Sequence, residues 1–121
     1  AHLVRAGLES VAYQTSDLLD AFKRDGAPIG ELRVDGGMVA NDWLMQFLAG
    51  VQNAAVDRPA IMETTALGAA FLAGVKAGVF ASIADVASLR RTERRFTPAM
   101  TPAEGEALRG GWNKALQRTL L

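Results

Sequence analysis

Cysteine is absent from this chain of 121 residues, and histidine occurs once, as His2. A chain without cysteine has no disulfide framework and offers no thiolate as a metal ligand or nucleophile. A single histidine at the second position also excludes a catalytic triad built on histidine and a zinc site with several histidines. An excess of positive charge is missing too, because 13 Lys and Arg residues balance 13 Asp and Glu residues. The composition therefore predicts no nucleic-acid partner, since such a partner calls for a basic surplus.

Long apolar runs are also missing. The longest uncharged run near the middle of the chain, Thr64 to Val75, is well short of the ~20 residues that span a bilayer. The chain opens with Ala-His-Leu-Val-Arg, which is not the apolar leader of a secreted protein. We therefore expect a cytoplasmic protein with no membrane partner, of a length that suits one domain of ~100–150 residues.

The first segment has the pattern of an amphipathic helix. Apolar residues recur at three- and four-residue intervals from Leu3 to Phe22, which predicts a helix with one apolar face. The pattern ends at Asp25 to Pro28, where glycine favours a left-handed stop and proline cannot continue the helix. No N-terminal cap precedes the pattern. We therefore expect a piece of a longer protein, and the alternative is a mature N-terminus with a frayed first turn.

Strands and helices are expected to alternate along the next fifty residues. Residues 31–35 and 54–56 predict two short strands, the second ended by residues 57–59, with a helix from residue 39 or 40 between them. A further helix fits residues 64–76. This alternation predicts an α/β fold with parallel strands. Because sheets contain more than two strands as a rule, we expect part of a domain rather than a whole one.

The last third of the chain predicts two more helices. The segments Ser82 to Asp85 and Thr101 to Glu104 both have the form of a capping box, which opens a helix. Residues 91–97 are expected to be extended. Residues 90–95 form the one charge cluster of the chain, which we interpret as a solvated surface or, alternatively, as a contact with a partner.

The candidate site is the segment Val34 to Asn41, where a strand ends in Gly36-Gly37 and leads into a helix. Ligands bind at the carboxyl ends of parallel strands in open α/β folds, and residues without a Cβ let a phosphate or planar ring approach the main chain. The helix N-terminus adds unpaired N–H groups, and Asn41 can hydrogen-bond a base edge, a sugar or the loop itself. The alternative is a tight connection that binds nothing. The segment matches neither a Walker A loop nor a G-x-G-x-x-G fingerprint.

Three segments together resemble a known family. They are Leu32 to Phe47, with its run Asp-Gly-Gly-Met-Val-Ala-Asn, Val56 to Pro59, and Thr64 to Gly74, with its run Thr-Ala-Leu-Gly-Ala-Ala. They closely resemble the C-terminal domain of the FGGY carbohydrate kinases, which belong to the actin-like ATPase superfamily. Within that family the chain resembles the members that phosphorylate glycerol more than those acting on xylulose, ribulose or gluconate. The likeness spans about residues 1–80 and is weaker beyond.

The resemblance implies a phosphotransferase that converts ATP and glycerol into ADP and glycerol 3-phosphate, with Mg²⁺ on the nucleotide. It places Gly37 against the nucleotide phosphates, Gly36 in the same turn and Asn41 near the adenine. It implies no catalytic residue and no metal ligand in this chain, because the family's catalytic aspartate lies upstream; the chain alone is expected to be inactive. The alternatives are a kinase of another polyol or ketose and a non-catalytic nucleotide-binding module.

The resemblance also implies the organisation of the chain. Residues 1–121 are expected to form part of an actin-like, ribonuclease H-like C-terminal domain, with a short parallel sheet flanked by helices. Residues 1–80 are the expected core and residues 81–121 a helical C-terminal extension. Because the sheet edge beside Leu32 to Asp35 and the flanking apolar faces would be partly uncovered, we expect a homo-oligomer.

Overall fold

Short strands alternate with helices in the computed structural model, which describes residues 1–27 and 30–120. Pro28, which the sequence places at the end of the first helix, lies outside the described residues. The elements run in the order α1 (His2–Arg24), β1 (Glu31–Arg33), a 3-10 turn (Gly37–Ala40), α2 (Asp42–Gln52), β2 (Ala55–Pro59), α3 (Thr64–Lys76), α4 (Ile83–Ser88), β3 (Thr92–Phe96) and α5 (Pro102–Thr119). This order confirms the predicted α/β class.

The sheet contains three strands in the order β1-β2-β3. β1 and β2 are parallel, with Leu32 opposite Val56, as predicted. β3 lies antiparallel on the other side of β2, with Phe96 opposite Val56. The sequence predicts two strands, and this number is too low by one. The third strand lies in residues 91–97, which were expected to be extended. β3 lacks the alternation of apolar and polar residues that indicates a strand, because it is a charged edge strand in which only Phe96 is buried.

β2 continues through the residues that were expected to end it. Asp57, Arg58 and Pro59 are all buried within the strand. The strand tolerates two buried charges because both are paired: Asp57 with Arg90, and Arg58 with Asp42 and Glu93. Pro59, which lacks an amide donor, is the last residue of the strand, where its loss to the ladder is small.

Helix α2 occupies the centre of the molecule. Seven of its residues are buried: Leu44, Met45, Phe47, Leu48, Ala49, Gly50 and Val51. They pack with Ala12 and Tyr13 of α1, Val56 of β2 and Phe96 of β3 in one hydrophobic cluster. The N-terminus of α2 is thereby fixed relative to the carboxyl ends of β1 and β2.

Helix α5 approaches the end of α2 at backbone contact. Its start is a capping box, in which Thr101 accepts from the Glu104 amide and the Glu104 carboxylate accepts from the Thr101 amide, as predicted. One turn in, the buried Gly105 lies against α2 so closely that a Cβ there would sit 3.2 Å from the Gly50 carbonyl oxygen and 3.3 Å from that of Val51. A side chain at this position would therefore need α5 and α2 to move apart, so the packing favours glycine.

Helix α3 and one edge of the sheet are uncovered, as expected. None of the residues of α3 is buried, and Leu72 is exposed. β1 pairs with β2 alone among the described strands. No helix in the described ranges combines the length and the apolar character needed to cross a membrane.

The close approach at Gly105 predicts the effect of a larger side chain. We expect Gly105→Val to lower the free energy of unfolding of the chain by about 2 kcal/mol, because the added methyl groups would push α5 away from α2. Gly111→Val is the matched control, since a Cβ at Gly111, in the same helix, meets nothing within 4 Å. Thermal unfolding followed by circular dichroism checks both variants. Equal stability of the two variants would contradict the packing role of Gly105.

Candidate functional site

The glycine turn, residues 36–41, connects the end of β1 to the start of α2. Gly36 has φ 83° and ψ 173°, a conformation that is essentially confined to glycine. Its amide donates to the Met62 carbonyl at 2.9 Å, which joins the glycine turn to the loop after β2. The sequence-predicted residue Gly36 is therefore needed for the course of the backbone.

Gly37 differs from Gly36 because the described protein does not require a glycine there. It is not among the residues with a positive φ, and a Cβ built on it meets no atom within 4 Å. The exposed main chain at Gly37 therefore borders open space. Gly37 and Met38 also open the 3-10 turn, and the first amides of a helix have no acceptor inside it. A residue without a Cβ lets a phosphate group approach such a main chain.

Asn41 caps the N-terminus of α2. Its side-chain oxygen accepts a hydrogen bond from the Leu44 amide at 3.1 Å. The carboxamide oxygen is therefore engaged in the loop itself, which was one of its three predicted roles. The NH₂ group of this exposed side chain provides two donors. Asn41 can serve the fold with one atom and a ligand with the other.

A side-chain hydrogen bond closes the turn region on the other side. Thr64, the first residue of α3, donates from Oγ1 to the Asp35 carboxylate. Asp35 immediately precedes the glycine turn, so this bond ties the end of β1 to the start of α3. The glycine turn thus follows the carboxyl end of β1 and is joined there to the segment that comes after β2.

Arg58 lies beneath the glycine turn, and no role in the site was predicted for it from the sequence. Its Nη1 donates to the Val39 carbonyl at 2.8 Å and to Oδ1 of Asp42 at 2.7 Å, while its Nε donates to Oε2 of Glu93 at 2.7 Å. Arg94 also donates to the Asp42 carboxylate. The hydrogen bond from Arg58 holds the pKa of Asp42 below its usual value, so the carboxylate stays charged at neutral pH.

The charge cluster at residues 90–95 is partly engaged within the chain. Arg90 pairs with Asp57 at 2.8 Å, Arg95 with Glu31 at 3.0 Å, and Arg94 with Asp42. The hydrogen bond from Arg90 lowers the pKa of the buried Asp57 carboxyl group. Arg95 and Arg94 therefore connect β3 to β1 and to the start of α2, and Arg90 connects the segment before β3 to β2. Three of the cluster's four arginines are thus not simply solvated.

An apolar cavity of about 530 Å³ lies next to the site but apart from it. It is bounded by α3, α4 and the loop after β2, with Arg90 and Arg91 among its lining residues. None of residues 36–41 lines it. Within residues 1–27 and 30–120, no group of three or more His, Cys, Asp or Glu side chains could hold a metal ion.

The chain is similar to known proteins in sequence and in fold. Residues 1–77 match the model of the C-terminal domain of the FGGY family of carbohydrate kinases. The glycerol kinase of Rhodospirillum centenum is 56% identical over 119 residues, which cover 98% of this chain and 24% of that protein. The crystal structure of Plasmodium falciparum glycerol kinase with ADP is 37% identical with a TM-score of 0.83, over 99% of this chain and 24% of that one.

A second carbohydrate kinase shares the fold at lower identity. The xylulose kinase of Rhodospirillum rubrum is 29% identical with a TM-score of 0.75, over 98% of this chain and 24% of that one. The chain thus spans about a quarter of the length of the relatives it matches. The family match over residues 1–77 and the identity to these kinases lead to one conclusion. The chain belongs to the FGGY family of carbohydrate kinases, and residues 1–77 belong to the family's C-terminal domain.

Proposed function

We propose that this chain forms part of the nucleotide-binding wall of an ATP-dependent kinase that phosphorylates glycerol to glycerol 3-phosphate. The observation that carries the proposal is the glycine turn, where Gly37 borders open space although neither its backbone nor its packing requires glycine. The 56% identity to one glycerol kinase and the 37% identity to another, whose crystal structure contains ADP, support the nucleotide and the substrate.

The proposed reaction transfers the γ-phosphoryl group of ATP to a hydroxyl oxygen of glycerol. The bond between the γ-phosphorus and the bridging oxygen breaks, a new P–O bond forms, and ADP leaves. Catalysis of phosphoryl transfer depends on positioning and on electrostatic stabilisation by several parts of a protein. The parts assigned here are the Gly36 and Gly37 main chain for the phosphates and the Asn41 NH₂ group for the adenine. We assign the base that takes the hydroxyl proton to the part of the enzyme outside this chain. The chain on its own is therefore inactive in this proposal.

Mg²⁺ belongs to the proposal as the ion that accompanies ATP. The described residues contain no cluster of three metal-binding side chains, so we assign no Mg²⁺ ligand to this chain. In such a site the ion is held by the nucleotide phosphates and by side chains from elsewhere in the enzyme.

The organisation of the domain and its location are also proposals. We assign residues 1–80 to the core and residues 81–121 to a C-terminal extension, and we place the enzyme in the cytoplasm. The extension is mainly helical, and its strand β3 pairs with β2, so the two parts share one sheet.

One structural likeness favours a second candidate. The xylulose kinase of Rhodospirillum rubrum, at 29% identity, supports a kinase of another polyol or ketose. A non-catalytic nucleotide-binding module is the candidate from a different class, because the glycine turn by itself binds nucleotide without specifying an acceptor.

Two substitutions in the glycine turn test the nucleotide site. In the full-length protein that contains this chain, we expect Gly37→Val to weaken Mg-ADP binding at least about tenfold, which corresponds to about 1.4 kcal/mol, because the side chain fills the phosphate cradle. We expect Asn41→Ser to weaken it several-fold while keeping the helix cap, since serine caps as well as asparagine. Isothermal titration calorimetry measures both.

Gly7→Val is the matched control for Gly37→Val, because a Cβ at Gly7 also meets nothing within 4 Å and lies on α1. Its Mg-ADP affinity should equal that of the unmodified protein. Unchanged affinity in Gly37→Val would contradict the proposal that the glycine turn binds the phosphates. Unchanged affinity in Asn41→Ser would contradict the proposed contact between Asn41 and the adenine, and Asn41 would then serve only as a helix cap.

A substrate panel tests the acceptor. We expect the full-length protein to form ADP from ATP with glycerol at a kcat/KM at least tenfold above the values for xylulose, ribulose and gluconate, because the chain is 56% identical to one glycerol kinase and 29% identical to one xylulose kinase. A coupled assay of ADP release measures this. A preference for a sugar would favour the second candidate, and ADP binding without turnover of any acceptor would favour the non-catalytic module.

The uncovered surfaces lead to a proposal about assembly. We propose that the chain forms homo-oligomers, because β1 has one partner among the described strands and Leu72 of α3 is exposed, and such surfaces favour association. Sedimentation velocity over a range of concentrations should show a species larger than the monomer. A single monomeric species at every concentration would contradict this proposal.

A further inference from the structure

We propose that Arg58 is a positioning residue for the nucleotide, which holds the glycine turn in its binding conformation without touching the nucleotide. This inference rests on the proposed function, because it concerns the same turn. It assigns a role to a residue of β2, a strand that contributes no ligand-binding residue in the proposal above.

The guanidinium of Arg58 holds the chain on both sides of Asn41. Nη1 donates to the Val39 carbonyl at 2.8 Å, two residues before Asn41, and to the Asp42 carboxylate at 2.7 Å, one residue after it. Val39 is itself buried. The end of the glycine turn and the first residue of α2 therefore share one donor nitrogen. A shift of this nitrogen changes the place of Asn41 and of the turn that leads into it.

The anchor at the other end of this connection is the sheet. Arg58 belongs to β2, the central strand, which pairs with β1 on one side and β3 on the other. Its Nε donates to Glu93 of β3 at 2.7 Å, and its guanidinium lies over the Phe96 ring at 5.2 Å. These contacts fix the guanidinium plane, so the two bonds toward the glycine turn start from a rigid support.

The geometry requires arginine rather than a positive charge alone. Nε and Nη1 donate in different directions, toward β3 and toward the glycine turn. The planar guanidinium presents its donors in a fixed fork, whereas lysine offers one ammonium group on a flexible stem. Lysine at position 58 cannot meet Glu93, Val39 and Asp42 at once in the same geometry.

Arg58 acts through the turn because its side chain is buried. The residue is 8% exposed, and both Nε and Nη1 donate to protein acceptors. A direct role on the phosphates would need an exposed guanidinium. The effect of Arg58 should therefore appear in nucleotide affinity and leave the acceptor site unaffected.

The test compares two arginines of the same sheet region in the full-length protein. Arg58→Met and Arg58→Lys remove the fork beneath the glycine turn, whereas Arg90→Met breaks the ion pair with Asp57. The Asp57 carboxylate accepts hydrogen bonds from Arg90 and Thr92, neither of which belongs to the glycine turn. Asp42→Asn is a milder variant of the same connection, at a half-exposed side chain, and it is used if Arg58→Met does not fold. Steady-state kinetics give KM for ATP and for glycerol, calorimetry gives the Kd of Mg-ADP, and circular dichroism gives the thermal midpoint.

We expect both Arg58 variants to raise KM for ATP and Kd for Mg-ADP about tenfold, the effect of one hydrogen bond to a charged group. KM for glycerol should stay within about twofold. Asp42→Asn should raise KM for ATP about threefold by the same reasoning. Arg90→Met should lower the thermal midpoint and keep the nucleotide constants of the unmodified protein.

Three results would overturn the inference: unchanged nucleotide constants in Arg58→Lys and Asp42→Asn, an equal rise in Arg90→Met, or a parallel rise in KM for glycerol. An unmodified protein that binds no nucleotide would instead contradict the proposed function, and the inference with it. The behaviour of the unmodified protein thus separates the two failures.

Discussion

The burial of helix α2 in the core is the constraint that fixes the start of the helix, to which the glycine turn is attached. Its apolar residues meet α1, β2, β3 and α5 in one cluster. Seven of its eleven residues are buried, and its two exposed residues, Asp42 and Trp43, lie at its N-terminal end. Because the core holds α2 so firmly, its first turn is a fixed point from which the glycine turn is displayed.

The glycine turn combines residues with three different physical tasks. Gly36 supplies a backbone conformation that other residues avoid, and Gly37 borders space that the described residues leave open. Asn41 caps α2 with its oxygen and keeps its NH₂ group available. Beneath them, Arg58 connects the turn to the central strand through hydrogen bonds to Val39 and Asp42. Rigidity from the sheet and openness at Gly37 suit the binding of a phosphate.

Local patterns in the sequence predict the elements that depend on neighbouring residues. Apolar periodicity and caps at Ser82 and Thr101 predict the helices, and the residues around Gly36-Gly37 predict the turn and its place at the end of β1. The third strand and the extension of β2 depend on partners distant in the chain: Asp57 and Arg58 are buried because Arg90, Glu93 and Asp42 neutralise them. No local pattern contains that pairing. In the sequence, Asp57 and Arg58 directly follow the apolar residues Ala54 to Val56. This charged pair was the available signal for Arg58, but it is equally typical of the end of a strand.

A crystal structure of the full-length protein with Mg²⁺ and a non-hydrolysable ATP analogue would show whether the nucleotide lies on the glycine turn. We expect phosphate oxygens within hydrogen-bonding distance of the Gly37 main chain, the adenine beside the Asn41 NH₂ group, and Arg58 still bound to the Val39 carbonyl. A nucleotide bound elsewhere, with residues 36–41 facing only solvent or protein, would contradict it.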